Sequence, residues 1–135
     1  MVEPCESAAA VDPGAAAQSD VVSFHHYGPP DELQRECDRL RGLTDRPLLC
    51  TEYLARPLKS RFETHLPIFQ ERKIGAMHWG LVSGKTQTIY PWWSWFDEAA
   101  SAEPELWFHD VLRSDGSGFD RDEVEFLRRY IAAHR

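Results

Sequence analysis

Hydrophobic positions along the chain predict three short buried strands that alternate with helices. Residues 21–26, 48–53 and 74–82 are apolar runs rich in β-branched, aromatic and leucine side chains, and turn or polar residues bound each run. One helical pattern separates each pair of runs. Strands and helices that alternate in this way form βαβ units, so the pattern predicts an α/β fold with parallel strands.

Apolar positions recur at helical spacing after each of the first two strands and again near the C-terminus. They are Leu33, Cys37, Leu40 and Leu43; then Phe62, Leu66 and Phe69; and finally Val124, Leu127, Tyr130 and Ile131. Pro30 suits the first turn of the first helix, and Pro67 either lies early in the second or kinks it. Asp120 and Glu123 predict a capping box at the start of the last helix. Right-handed crossovers place helices on one side of the sheet, which favours a barrel sector or a single-sided wound sheet over a sandwich.

Residues 1–19 are predicted to be irregular or disordered, and residues 20–135 to form the folded domain. The first segment is rich in alanine, with proline, glycine and serine, and sustains no apolar periodicity. It also lacks the basic start of a signal peptide, and Asp12 and Pro13 interrupt its apolar stretch. We therefore expect no signal peptide here, and the compartment stays open.

Composition and charge exclude several classes of protein. The chain has 135 residues, 42% of them hydrophobic, which suffices for a core. A net charge of −7 with interspersed signs leaves no basic stripe, so we expect no nucleic-acid partner. No window approaches the ~20 apolar residues of a membrane span, so we expect a soluble chain with no membrane partner. The cysteines form no CxxC pair and the histidines no HxxxH pair, so neither a metal nor another cofactor is predicted.

Polar residues at the ends of the predicted strands are the candidates for chemistry, because the carboxyl ends of parallel strands converge on the ligand site. Glu52 ends an otherwise apolar run. A carboxylate there is costly to desolvate, so it is either catalytic or held in a salt bridge, for instance with Arg56. Period-two alternation puts His25 and Tyr27 on one face of the first strand, able to bond a carboxylate or sugar hydroxyls, and turns His26 towards the helices as a core residue.

Aromatic residues are the second group of candidates. Trp79 is either a platform for a pyranose ring or ordinary core, and His78 should point the opposite way. Residues 90–96 are too dense in aromatic side chains for a solvated loop, so they pack either on a sugar-binding cleft or on the core of the chain itself.

Three segments together resemble strands six, seven and eight of a retaining β-glycosidase barrel. They are Ser23-Phe24-His25-His26-Tyr27-Gly28-Pro29, Leu49-Cys50-Thr51-Glu52-Tyr53 and Ala76-Met77-His78-Trp79-Gly80-Leu81-Val82. The resemblance is to clan A, which includes glycoside hydrolase family 5, and to its cellulase-like or xylanase-like bacterial members. It runs from about Asp20 to the C-terminus. It implies that the chain is the C-terminal sector of a TIM (β/α)₈ barrel, about three βα units long.

The resemblance also implies a role for each matching residue. Glu52 is similar to the catalytic nucleophile, His25 and Tyr27 to the pair that contacts substrate and steadies it, and Trp79 to the platform under the sugar. The resemblance also implies that Lys85 and Gln87, on the loop above the last strand, reach substrate.

In this clan the acid/base carboxylate follows an asparagine on the fourth strand, which the chain does not reach. Glu3-Pro4 is no substitute, because valine replaces the asparagine and too few residues follow before Asp20. We therefore expect a glycoside hydrolase fragment with a carbohydrate substrate and little activity alone. We also expect self-association through exposed barrel edges. The alternatives are a non-catalytic carbohydrate-binding module and a half-barrel that assembles with another chain.

Overall fold

The computed structural model describes residues 11–96 and 102–134 and has a mixed α/β fold. Its α-helices are α1 (Pro13–Gln18), α2 (Pro30–Leu43), α3 (Phe62–Glu71) and α4 (Arg121–Ala133), and its strands are β1 (Val22–His25), β2 (Leu48–Glu52) and β3 (Gly75–Ala76). Short 3₁₀ helices span Arg56–Leu58 and Trp92–Phe96. No described helix is long and apolar enough to cross a bilayer. Cys5 and the Glu3-Pro4 pair lie outside the described residues.

The strands form one parallel sheet in the order β1-β2-β3, which confirms the predicted alternation of strands and helices. Phe24, Cys50 and Ala76 lie side by side across it. The buried strand residues join one core with side chains of α2 and α3, namely Leu33, Cys37, Leu40, Phe62, Ile68 and Phe69. Leu43, predicted to lie on the same helix face, ends α2 and is partly exposed.

The opposite face of the sheet carries exposed side chains. Ser23 and His25 on β1 are exposed, and so are Gly75, Met77 and Trp79 on and after β3. Since neighbours in register share a face, these positions form one continuous surface across the sheet.

The third strand is shorter than the predicted residues 74–82. The N–H groups of Met77 and Trp79 still bond to β2 and its extension, but the chain then turns at Gly80, where φ is +79°. A Cβ at Gly80 would lie 2.7 Å from an oxygen of Asp110, so a side chain there would clash. Beyond the turn, Leu81 accepts bonds from Val111 and Leu112 instead of from the sheet. The second half of the predicted strand therefore pairs with residues 111 and 112 instead of extending β3.

Residues 13–18, predicted to be irregular, form α1. Pro13 occupies the first turn, Asp12 caps it through a bond from the Ala15 N–H at 2.8 Å, and alanines favour the helix. Ala16 is buried against the core, so tertiary contact stabilises a helix too short to persist alone.

The last helix begins where it was predicted, but its capping arrangement differs. Asp120 accepts bonds from the N–H groups of Asp122 and Glu123. The Glu123 side chain does not return to the cap, because it bonds the guanidinium of Arg56 at 2.6 and 3.0 Å. Both side chains are almost fully buried, and Arg56 also donates to the Trp107 carbonyl at 3.1 Å. This ion pair ties α4 to the segment that follows β2.

We predict that Glu123→Gln destabilises the fold by about 3 kcal/mol or more, because Arg56 would keep a buried charge without its counter-ion. Urea unfolding measures the change. The matched control is Glu125→Gln, which breaks an exposed pair with Arg129 on the same helix and should cost less than about 0.5 kcal/mol. Equal costs for the two variants would show that the buried pair is not what holds α4.

Candidate functional site

A β-bulge brings Glu52 to the exposed face of the sheet. Phe24 pairs with Cys50, but the next residue of β1, His25, pairs with Glu52, so Thr51 is the extra residue on β2. Strict alternation would put Glu52 on the helix face beside Cys50 and would expose Tyr53. The bulge reverses both: Tyr53 is buried among Phe62, Phe69 and His65, and Glu52 reaches His25.

Two side chains from the end of β1 hold the Glu52 carboxylate. The Tyr27 hydroxyl donates to Oε2 at 2.6 Å, and His25 Nδ1 lies 3.2 Å from the same oxygen. Burial raises the pKa of Tyr27, and the hydrogen bond to Glu52 raises it further, so Tyr27 is a neutral donor at every physiological pH. The sequence placed these three residues at neighbouring strand ends, and the structure brings them into direct contact.

Arg56, named as an alternative partner of Glu52, is not one. Its guanidinium is committed to Glu123 and to the Trp107 carbonyl. The salt-bridge interpretation with Arg56 was therefore wrong, because the chain turns sharply after Tyr53 and carries Arg56 into the core, where it is 2% exposed.

Aromatic rings form a wall beside the pair. The Trp92 ring meets the Tyr27 ring edge-on at 4.9 Å, and the His109 ring lies 5.4 Å from Tyr27. Trp92 and Trp93 also pack on Phe108, whereas Phe96 is 92% exposed. Residues 90–96 thus contact both the candidate site and the core of the chain, which were the two alternatives drawn from the sequence.

Trp79 is 44% exposed, which argues against the core alternative for this side chain. Its N–H bonds the Tyr53 carbonyl at 2.9 Å, so the backbone of Trp79 is fixed to the residue that follows Glu52. His78 points the other way, as alternation predicts, and its ring packs edge-on against Phe62 at 5.1 Å.

Lys85 and Gln87 are exposed on the loop after β3, and the hydrogen bond and ion pair of the Glu52 carboxylate are with Tyr27 and His25 instead. The loop itself is anchored, since Thr88 donates to the buried Asp110 carboxylate at 2.7 Å and its carbonyl accepts from the His109 N–H at 3.1 Å. The structure therefore gives these two residues access to solvent above the sheet and no defined geometry towards the site.

The other carboxylates buried within the described chain, Asp110 and Glu123, each bond a partner other than Glu52, and Oδ1 of Asp110 has no hydrogen-bond partner among the described residues. Asp110 bonds Thr88, and Glu123 bonds Arg56. Glu52 is the partly exposed carboxylate at the sheet end, so the described residues present a single oriented carboxylate with a phenol donor. That arrangement suits a nucleophile or an electrostatic partner and supplies no second carboxyl group for proton transfer.

His109 was missed by the sequence reasoning. It lies in the run from Trp107 to Val111, in which all the side chains are buried, and Asp110 is its only other polar member. A polar residue within an apolar run was the signal that singled out Glu52, and it was available here too. The run follows an irregular loop rather than a predicted strand, so nothing in the pattern tied it to the sheet end.

A cavity of about 420 Å³ lies elsewhere, between α4 and the loop before it. Its lining includes Gly116, Arg121 and Arg128 and none of the residues that contact Glu52. The Glu52 contacts therefore lie outside this cavity.

No protein-family model, curated protein or solved structure matches this chain.

Four histidines near the sheet end are held neutral. Burial lowers the pKa of His65 and of His109 to about 4, and it lowers the pKa of His26 and His78 as well. His26 is buried beside His65, with ring centres 6.2 Å apart, which confirms its predicted place in the core.

These histidines predict a loss of stability in mild acid. The unfolded chain binds protons at an ordinary pKa near 6.5 while the folded chain does not, so stability is complete above about pH 6.5 and falls towards pH 4. Urea unfolding between pH 8 and 4.5 should show this slope. His65→Gln, which keeps a donor for the Gly28 carbonyl, should flatten the slope, whereas the exposed control His134→Gln should not. An unchanged slope in His65→Gln would contradict the assignment.

Proposed function

We propose that this chain is the C-terminal sector of a retaining β-glycosidase barrel and that Glu52 is its nucleophile. The observation that carries the proposal is the pair of contacts on one Glu52 oxygen, from Tyr27 at 2.6 Å and His25 at 3.2 Å, at the carboxyl end of parallel strands. These are the three residues whose motifs resemble the nucleophile and its steadying partners. The substrate is a β-linked oligo- or polysaccharide.

The chemistry follows from the orientation of the carboxylate. Both contacts are to Oε2, and no hydrogen bond within the described residues engages Oε1. Oε1 is then the oxygen that attacks the anomeric carbon, forming a glycosyl ester as the glycosidic C–O bond breaks and its electrons leave with the departing oxygen. Tyr27 holds Oε2 through the step. Water later cleaves the ester and frees Glu52.

The barrel assignment is supported by the two unlike faces of the sheet. Helices cover one face, and the other exposes Ser23, His25, Met77 and Trp79. In a closed (β/α)₈ barrel the uncovered face lines the interior and the outer strands pair with neighbours. Both edges and the open face are unsatisfied in an isolated three-stranded sheet, so self-association or assembly with a missing half remains our prediction.

The departing sugar oxygen needs a proton from a second carboxyl group roughly 5 to 5.5 Å from the nucleophile. Neither buried carboxylate of the described residues contacts Glu52, since Asp110 bonds Thr88 and Glu123 bonds Arg56. We propose that the acid belongs to another part of the barrel. We therefore propose that the chain alone has little turnover on unactivated glycosides, because losing a general acid removes orders of magnitude in rate.

An activated inhibitor tests the nucleophile without that acid. A dinitrophenyl 2-deoxy-2-fluoro-β-glycoside has a leaving group that departs unprotonated, so Glu52 should still form a stable ester with it. Peptide mass spectrometry should locate the sugar on Glu52. Glu52→Gln should abolish labelling, and Glu63→Gln, which alters an exposed glutamate at the start of α3, should not.

The panel should include both gluco- and xylo-configured reagents at high concentration. Labelling at any other carboxylate would overturn the assignment. If neither the isolated chain nor the chain joined to its upstream barrel half is labelled, the glycosidase proposal is wrong.

The exposure of Trp79 favours one second candidate, a carbohydrate-binding surface without catalysis. An indole with 44% of its surface accessible can stack on a pyranose face. Titration with β-linked oligosaccharides, followed by tryptophan fluorescence, should then give saturable binding that Trp79→Ala weakens by about tenfold and Trp79→Phe by less. Saturable binding with no labelling of Glu52 would favour this candidate. A Trp79→Ala chain that binds as wild type does would rule out the platform.

A further inference from the structure

The backbone just beyond Glu52 is in a conformation that its sequence does not favour. Leu54 has φ of +81°, in the left-handed region that a leucine rarely adopts, and its side chain is fully buried. Strained residues of this kind persist only when their surroundings hold them, and they cluster at functional sites. Glu52 is only two residues away, so whatever holds Leu54 also limits where Glu52 can lie.

Hydrogen bonds hold both peptide groups of Leu54. Its N–H donates to Ser60 Oγ at 3.1 Å, and its carbonyl lies 2.5 Å from His109 Nδ1. A carbonyl oxygen only accepts, so Nδ1 carries the proton and donates. Burial keeps the ring neutral, which leaves Nε2 as a bare acceptor with no partner in the described part of the chain.

The same imidazole reaches the other partner of the site. The ring of His109 packs against Tyr27, whose hydroxyl donates to Glu52, and against Trp92, whose ring centre is 5.7 Å away. His109 thus contacts both ends of the Tyr27–Glu52 hydrogen bond. On the acceptor side it holds Leu54, two residues after Glu52, and on the donor side it packs against the Tyr27 ring. Simple packing would not require the Nδ1 donor or leave a buried nitrogen unpaired, since an unpaired polar atom is costly.

We infer that His109 is a positioning residue that fixes the Tyr27–Glu52 hydrogen bond, because its Nδ1–H holds the Leu54 carbonyl and its ring packs against the Tyr27 ring. The inference deepens the proposed function, because a nucleophile must be oriented before it attacks. The hydrogen bond itself exists whatever reaction the site performs.

The test follows the Tyr27 hydroxyl proton by NMR in the folded chain, with Tyr27→Phe used to assign the signal. His109→Phe keeps an aromatic ring but removes the donor, so exchange of the hydroxyl proton should accelerate about tenfold. His109→Asn places an amide N–H near the Nδ1 position and should restore most of the protection. The matched control is His134→Phe, since His134 Nδ1 also bonds a backbone carbonyl, that of Tyr130 at 2.7 Å, but on the exposed end of α4.

An exchange rate in His109→Phe equal to that of wild type overturns the inference, and so does an equal acceleration in His109→Asn. If His109→Phe does not fold, His109→Gln replaces it, because its longer amide reaches the Nε2 position instead of Nδ1. Asn should then protect the proton and Gln should not, and equal behaviour of the two overturns the inference.

Labelling with the fluoro-glycoside separates this inference from the proposed function. If His109→Phe accelerates hydroxyl exchange but wild type is never labelled, the positioning role stands and the glycosidase proposal fails. If His109→Phe is labelled at Glu52 as fast as wild type, the glycosidase proposal stands and the positioning role fails.

Discussion

One extra residue in β2 decides which face of the sheet Glu52 occupies. A strand alternates faces at every residue, so a single insertion exchanges the two sides for everything that follows. At Thr51 this exchange moves Glu52 out to His25 and turns Tyr53 into the core, where three aromatic rings surround it. The same bulge therefore causes both the burial of Tyr53 and the exposure of Glu52. The carboxylate keeps access to solvent, and the core gains a large ring in its place.

The rest of the site is built from parts of the chain that are far apart in sequence. The segment from Trp107 to Leu112 returns to the sheet end, where it pairs with Leu81 beyond the turn at Gly80 and places the His109 ring against Tyr27. The buried pair between Arg56 and Glu123 ties the same region to α4. Buried charges are costly and are kept only where they are paired, so this contact constrains how the C-terminal helix can dock.

Stability and orientation are coupled at this end of the sheet. The buried histidines remain neutral, and two of them, His26 and His109, have a ring nitrogen with no hydrogen-bond partner among the described residues. Leu54 is held in a left-handed conformation by two hydrogen bonds. Each of these features costs free energy of folding, and a sheet end with only a structural role would not require it. The hydrogen bonds of Leu54 and the contact of His109 with Tyr27 lie beside a single carboxylate and the phenol that donates to it.

Patterns along the chain were sufficient to predict the alternation of strands and helices, the parallel sheet, and the candidates at the strand ends. Hydrophobic periodicity is a local property, so those predictions needed only neighbouring residues. Alternation along one strand is local too, and it predicted that His25 and Tyr27 share a face. The bulge at Thr51, the partner of Arg56, the early end of β3 and the contact of His109 with the site become visible only in the folded chain. Each of these depends on which distant segment supplies a hydrogen bond or fills a space, and no local pattern encodes that choice.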